Sequence, residues 1–132
     1  MEGLFYTDDN SMPDNWAPSI CTALTYKAIE QAGGKFYTKE DVEKFVTDAG
    51  FVDVQAFLFK VPYGPWPKHK DLKQAGMLNL INAESSFHAY SMALHTRVLG
   101  MSEQKSRQVC DDARDAILYT SRKDKVHQYT TW

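Results

Sequence analysis

The chain has little of what would place it outside a cell, in a membrane or on nucleic acid. It holds two cysteines, Cys21 and Cys110, far apart and in no spaced motif. A disulfide framework or a cysteine metal site is therefore not implied, and a reducing interior is expected. No apolar run approaches the ~20 residues that a membrane-spanning helix needs. The start, Met1-Glu2-Gly3, lacks the basic and apolar regions of a signal peptide, so a cytoplasmic location is expected. Neither sign of charge dominates: 15 Lys and Arg stand against 17 Asp and Glu, a net of -2. That balance gives no case for nucleic acid or an anionic membrane surface as a partner. No G-x-G-x-x-G turn follows a strand pattern. At 132 residues the chain is read as one domain with a modest core, too short for a nucleotide-binding domain plus a second one.

Aromatic residues, by contrast, are plentiful: three Trp, seven Tyr and seven Phe make up 13% of the chain. They suit a large apolar pocket or a sizeable oligomer interface. Residues 1–16 are rich in Asp, Asn, Ser and Pro and read as an extended arm. Pro18 suits a helix start, Ile20, Leu24 and Ala28 give the helical period, and Gly33-Gly34 stops it. Thr38 with Asp41 resembles a capping box for a second helix, with Val42, Phe45, Val46 and Ala49 as its apolar stripe and Gly50 as its end. Phe51 to Val61 reads as a strand apolar on both faces, Val52, Val54, Ala56 and Leu58 on one and Phe51, Phe57 and Phe59 on the other. It should be covered on both sides. Pro62-Tyr63-Gly64-Pro65-Trp66-Pro67 is a stiff loop that presents Tyr63 and Trp66 in a fixed way. A long helix is predicted from about Lys70 to Leu99, then another capped by Ser102 and running through about Ser121, with Val109, Ala113, Ala116 and Ile117 inward. A short final strand is predicted over Val126 to Trp132. The class is α+β: about four helices with a two- or three-stranded antiparallel sheet.

The long helix carries an unusual polar stripe. At about 100° per residue, Glu84, His88, Ser91 and His95 fall within a wedge of roughly 60°. Leu80, Phe87, Leu94 and Val98 flank it on one side, and Ile81, Met92 and Leu99 on the other. Burying such groups without partners costs several kcal/mol each, on the order of ~1–3 or more. A face that lines a cavity explains the stripe; a satisfied buried network or a polar helix–helix seam is the alternative. A metal is not expected, because His95 lies about 10 Å along the axis from His88. A hydrolytic triad of Glu84, His88 and Ser91 lacks a nucleophile elbow. General acid–base chemistry fits better: Glu84 fixes the tautomer of His88, and His95 or Tyr90 polarises a carbonyl. Catalytic candidates are thus His88, Glu84 and His95. Tyr63, Trp66, Ser91, Phe87, Tyr90 and Met92 are candidates to line a substrate pocket. For each residue a packing role competes; Glu84, for one, could partner Arg97 or Arg114.

Gly50-Phe51-Val52-Asp53-Val54-Gln55 and Phe59-Lys60-Val61-Pro62-Tyr63-Gly64-Pro65-Trp66-Pro67-Lys68, followed by Leu78-Asn79-Leu80-Ile81-Asn82, Ser91-Met92-Ala93-Leu94 and Thr96-Arg97-Val98-Leu99-Gly100, carry a resemblance. Over most of residues 10–130 the chain resembles fungal class I methyltransferases, the S-adenosylmethionine-dependent enzymes related to the secondary-metabolism regulator LaeA. The resemblance implies the C-terminal, substrate-side half of that family, without the half that carries a glycine-rich loop and an acidic residue for the ribose. Gly33-Gly34 stands at a helix C-terminus, the wrong end for such a group. No cofactor is therefore expected. The chain departs from the family at Ser85, His88 and His95, and at Met101, where a tryptophan often follows the Leu-Gly pair.

A half-domain leaves an apolar face bare, which self-association into a homodimer would cover. On this reading the chain is a cofactor-independent enzyme of fungal secondary metabolism. It would catalyse cyclisation, of cycloaddition or Diels–Alder type, or isomerisation of a hydrophobic polyketide or terpenoid in a closed pocket. Orientation contributes at most ~7–11 kcal/mol to such a step, and a hydrogen bond to a carbonyl ~2–4 kcal/mol. The alternatives are a non-catalytic partner or regulatory subunit of a methyltransferase-like protein, and a fragment with no activity of its own.

Overall fold

A computed structural model describes Pro13 and residues 15–57, 59–122 and 129–131, with 120–122 and 129–131 as backbone. Helix α1 (Ala17–Gln31) starts where Pro18 fits the first turn, which has no need of its missing N–H. It ends at Gly33, whose φ of 84° places it in the left-handed region. There the Gly34 N–H reaches the Ile29 carbonyl at 2.9 Å and the Gly33 N–H reaches that of Glu30 at 3.0 Å, a Schellman closure. Helix α2 (Lys39–Asp48) opens on the expected capping box: Thr38 Oγ1 accepts from the Asp41 N–H, and Asp41 Oδ2 accepts from the Thr38 N–H at 2.9 Å. Strand β1 (Lys60–Pro62) leads into the proline loop and then into α3 (Lys70–Arg97) and α4 (Glu103–Arg122). Ser102 caps α4 by accepting from the Lys105 N–H at 3.3 Å. Strand β2 (Tyr129–Thr131) pairs antiparallel with β1, Val61 opposite Thr130. The expected α+β class, four helices and a two-stranded sheet, holds.

The core lies where α1, α3 and α4 meet; α3 packs most extensively on α4, and α1 lies across both. Trp16, Cys21, Ala83, Phe87, Cys110, Ala113 and Ile117 fill it, with Tyr63, Met92 and Val109 against its edge. The proline loop is tied down at one glycine. The Gly64 N–H donates to the Gly76 carbonyl at 3.0 Å. A Cβ on Gly76 would stand 2.1 Å from the Gly64 oxygen, so only glycine lets the loop lie against α3.

Two expectations are corrected. The strand predicted over Phe51–Val61 exists only at Lys60–Pro62, and the stretch before it is irregular. It is not covered on both sides: Phe51, Val52, Phe57 and Phe59 are exposed, Val52 by 85%; Leu58 lies outside the described residues. Likewise the apolar stripe of α2 stays exposed at Val42, Phe45 and Val46, with Tyr37 edge-on against the Phe45 ring. Among the described elements α2 packs on no other helix or strand. The side chain of Glu43, which accepts from the Ala56 N–H at 3.0 Å, and the Tyr26–Phe36 ring contact just before α2 hold this region. The arm expected at residues 1–16 and the start of the final strand at Val126 fall largely outside the described residues.

Candidate functional site

Three helices each contribute a pair of small or polar side chains one turn apart: Cys21 and Thr25 from α1, Ser91 and His95 from α3, Ser106 and Cys110 from α4. Side chains four residues apart share a helix face, and here the faces meet. Thr25 is the hub. Its Oγ1 lies 2.9 Å from the Cys21 carbonyl, 2.8 Å from Ser91 Oγ and 3.1 Å from His95 Nε2. A hydroxyl has one proton and two lone pairs. If Thr25 donates to the Cys21 carbonyl, Ser91 and the Nε2–H of His95 both donate to Thr25. Ser91 Oγ then accepts from the Cys21 thiol at 3.6 Å. The chain of hydrogen bonds closes with every proton used. On the far side Ser106 Oγ donates to Met92 Sδ at 3.3 Å, and the Cys110 thiol donates to the Phe87 carbonyl at 3.5 Å.

That arrangement leaves one atom over. His95 is fully buried, and its Nδ1 has no hydrogen-bond partner among the described residues. With Nε2 protonated, Nδ1 keeps a bare lone pair, and protonating it would place an unpaired charge in the core. Burial accordingly holds the imidazole below its ordinary pKa, only partly offset by a backbone hydrogen bond at Cys21. The Cys110 thiol is pushed well up, first by the Cys21 sulfur beside it and then by burial.

The polar stripe therefore divides. Ser91 and His95 face inward and form a seam with α1. Glu84 is exposed and His88 half-buried at the margin of α3 and α4. The expected Glu84–His88 pair is corrected: His88 Nε2 lies 3.2 Å from Asp111 Oδ1, which also receives Arg114 Nη1 at 3.0 Å. Arg114 is held charged by Asp115 first and then by Asp111, with Glu84 adding a weaker attraction. The buried arc of α3 runs through Gly76, Leu80, Ala83, Phe87, Ser91 and His95, so its centre sits beside the stripe rather than on it. Ile81, placed on the apolar face by the sequence, is 59% exposed.

Among the substrate-side candidates, Phe87 is core, Met92 is half-buried against Ser106, and Tyr90 is 71% exposed. Tyr63 and Trp66 are half-buried in the proline loop, Tyr63 against the edge of the core. Burial raises the Tyr63 phenol, opposed by its hydrogen bond with Asn79, whose Nδ2 also donates to the Pro62 carbonyl at 3.2 Å. Sequence reasoning missed Thr25. The signal was there: Cys21 and Thr25 interrupt the inward face of α1 at the helical period, as Ser91 and His95 do on α3. Among the described residues no group of three or more His, Cys, Asp or Glu could hold a metal, and no helix is long and apolar enough to cross a membrane.

The chain is similar to fungal methyltransferases. It is 31% identical over 103 residues to "Methyltransferase pytC" of Aspergillus terreus, an alignment covering 77% of this chain and 32% of that protein. It is 24% identical over 123 residues to "Probable methyltransferase tdiE" of Emericella nidulans, covering 93% of this chain and 38% of that protein. The chain thus spans about a third of the length of the curated relatives it matches. No family model matches it, and no solved structure does. These relatives correct the expected function. They are named methyltransferases, not cyclases or isomerases, which speaks against a cyclisation catalyst.

Proposed function

We propose that the chain is the acceptor-side portion of a fungal methyltransferase-like protein of the LaeA-like class I group, the portion that packs over a small hydrophobic acceptor. The observation that carries this is the similarity of 77% of the chain to 32% of a methyltransferase. The bare apolar surface supports it. Val42, Phe45 and Val46 of α2, Phe51, Phe57 and Phe59 beyond it, and Leu78 and Ile81 of α3 are all exposed, more large apolar groups than an isolated domain normally leaves in water. The remaining two-thirds of a methyltransferase-like fold would cover such a face.

The described residues do not fit S-adenosylmethionine themselves. Gly33, Gly50 and Gly100 all sit at helix C-termini with φ of 84°, 96° and 66°, where carbonyl groups point outward and an anionic or ribose group finds no N–H donors. The methyl donor would be held outside this segment. Calorimetry on the chain alone at millimolar S-adenosylmethionine is expected to show no binding. A chimera in which the chain replaces the matched third of the Aspergillus terreus relative is expected to bind the donor and change acceptor preference. Micromolar affinity of the chain alone, or a folded chimera with unaltered acceptor use, refutes the proposal. A second copy on the bare face, the homodimer expected from the sequence, would appear in the same samples as a dimer by sedimentation.

A further inference from the structure

We propose that the cleft between α1 and α4, under the turn that follows α3, binds a small amphipathic carboxylate: a linear apolar tail ending in a single negative charge. The site is separate from the Thr25 hub and independent of the methyl-transfer reading. Its volume is about 410 Å³, within the range of small-molecule sites at about 300–1,000 Å³. Leu24 of α1, Leu99 and Met101 of the turn, and Val109 of α4 supply apolar walls. The turn is fixed by the Met101 N–H, which donates to the His95 carbonyl at 3.0 Å, and by Gly100 with a φ of 66°. The apolar walls therefore keep a defined shape.

The charge in the cleft is one-sided. Lys27 and Lys105 line it, and among the described residues no carboxylate does. Neither lysine takes part in an ion pair among the described residues, whereas Lys39, Lys44, Arg107 and Arg114 each have an acidic partner. Glu103, the acidic residue in the first turn of α4, is already held by Arg107 at 2.9 Å. Lys105 lies in that same first turn, so the positive end of the α4 macrodipole adds to its field. A lysine lays its methylene stem along apolar surface and keeps its ammonium at the edge. Two such stems over one apolar floor favour a ligand with the same division, greasy inside and anionic at the rim. A neutral apolar ligand would leave both charges unanswered, and a bare anion would leave the floor wet.

Sodium decanoate is the probe, with decanol and acetate as controls, read by calorimetry and by the methyl resonance of Met101. Decanoate is expected to bind at least tenfold more tightly than either control and to shift the Met101 methyl. The double variant Lys27→Ala/Lys105→Ala should weaken decanoate tenfold or more and leave decanol unchanged. Both lysines are exposed, and thermal melts check that this variant still folds. If it does not, Lys27→Arg/Lys105→Arg takes its place and must retain binding, while Lys27→Glu alone must weaken it. Absence of decanoate binding, equal affinity for decanol, or insensitivity of decanoate to the loss of both charges overturns the proposal. Insensitivity would place the probe on the exposed apolar face near α2.

Discussion

Lowering the pH from 7.5 to 5.5 should destabilise the chain through His95, and the sign follows from its surroundings. Burial holds its folded pKa below the ordinary 6.5. In the unfolded chain the imidazole takes up a proton as pH falls through about 6.5. In the folded chain no acceptor or carboxylate among the described residues meets Nδ1 to stabilise that proton. Between the two pKa values the unfolded state binds more protons, so stability falls with falling pH. The slope cannot exceed about 1.4 kcal/mol per pH unit for one group. Over the single unit from 6.5 to 5.5 the loss is therefore at most about 1.4 kcal/mol, or a melting temperature lower by roughly 3–8 °C for a domain of this size. His95→Gln removes the titration while its longer side-chain amide reaches the position of Nε2 and can still donate to Thr25. Melting temperatures of both proteins across the window give the difference curve, from which titrations common to both proteins cancel. A wild-type melt as flat as that of the variant would show that water or a rearranged network satisfies His95⁺ and would refute the reasoning.

Gly76→Ala tests the loop contact. Alanine normally gains about 1 kcal/mol over glycine inside a helix, but here its Cβ would meet the Gly64 oxygen at 2.1 Å and Pro62 Cγ at 3.1 Å. A net loss of about 2–4 kcal/mol is expected in chemical denaturation, on the scale of core strain; a gain would mean the proline loop is free to lift away. Cys21 and Cys110 are fully buried, so Ellman's reagent should label neither in the native protein and both after unfolding; rapid native labelling would contradict the packing of α1 on α4. Phe45→Lys on the exposed face of α2 should cost about 0.5–1.5 kcal/mol through its edge contact with Tyr37 while reducing self-association in sedimentation; a loss well above about 2 kcal/mol would show that Phe45 is covered.

What could be read from the residues alone was whatever is decided within one or two turns. Thr38 with Asp41, Ser102 before α4, and the glycines after α1 and α2 act on neighbouring backbone groups, and all appear where expected. The stretch from Phe51 to Phe59 was misjudged because strand formation needs a neighbour, and among the described residues only Lys60–Pro62 meets one. The polar stripe was visible as an anomaly, but its centre was not. Whether Glu84 or Ser91 faces inward depends on where α1 crosses α3, which no periodicity within α3 encodes. The partners of His88 and His95 came from α4 and α1, at separations of 23 and 70 residues.

The isolation of α2 has a consequence for how the chain opens. A helix of ten residues is close to the length at which helices in water barely hold, and α2 has its capping box and Schellman end but, among the described residues, no other helix or strand packed on it. Its amide protons should therefore exchange through local opening at a small fraction of the free energy needed to unfold the α1–α3–α4 core. Anything that seats on Val42, Phe45 and Val46 would convert α2 from the first part to open into one of the last. Hydrogen exchange along this single helix would then count the contacts made by a partner without the partner having to be seen.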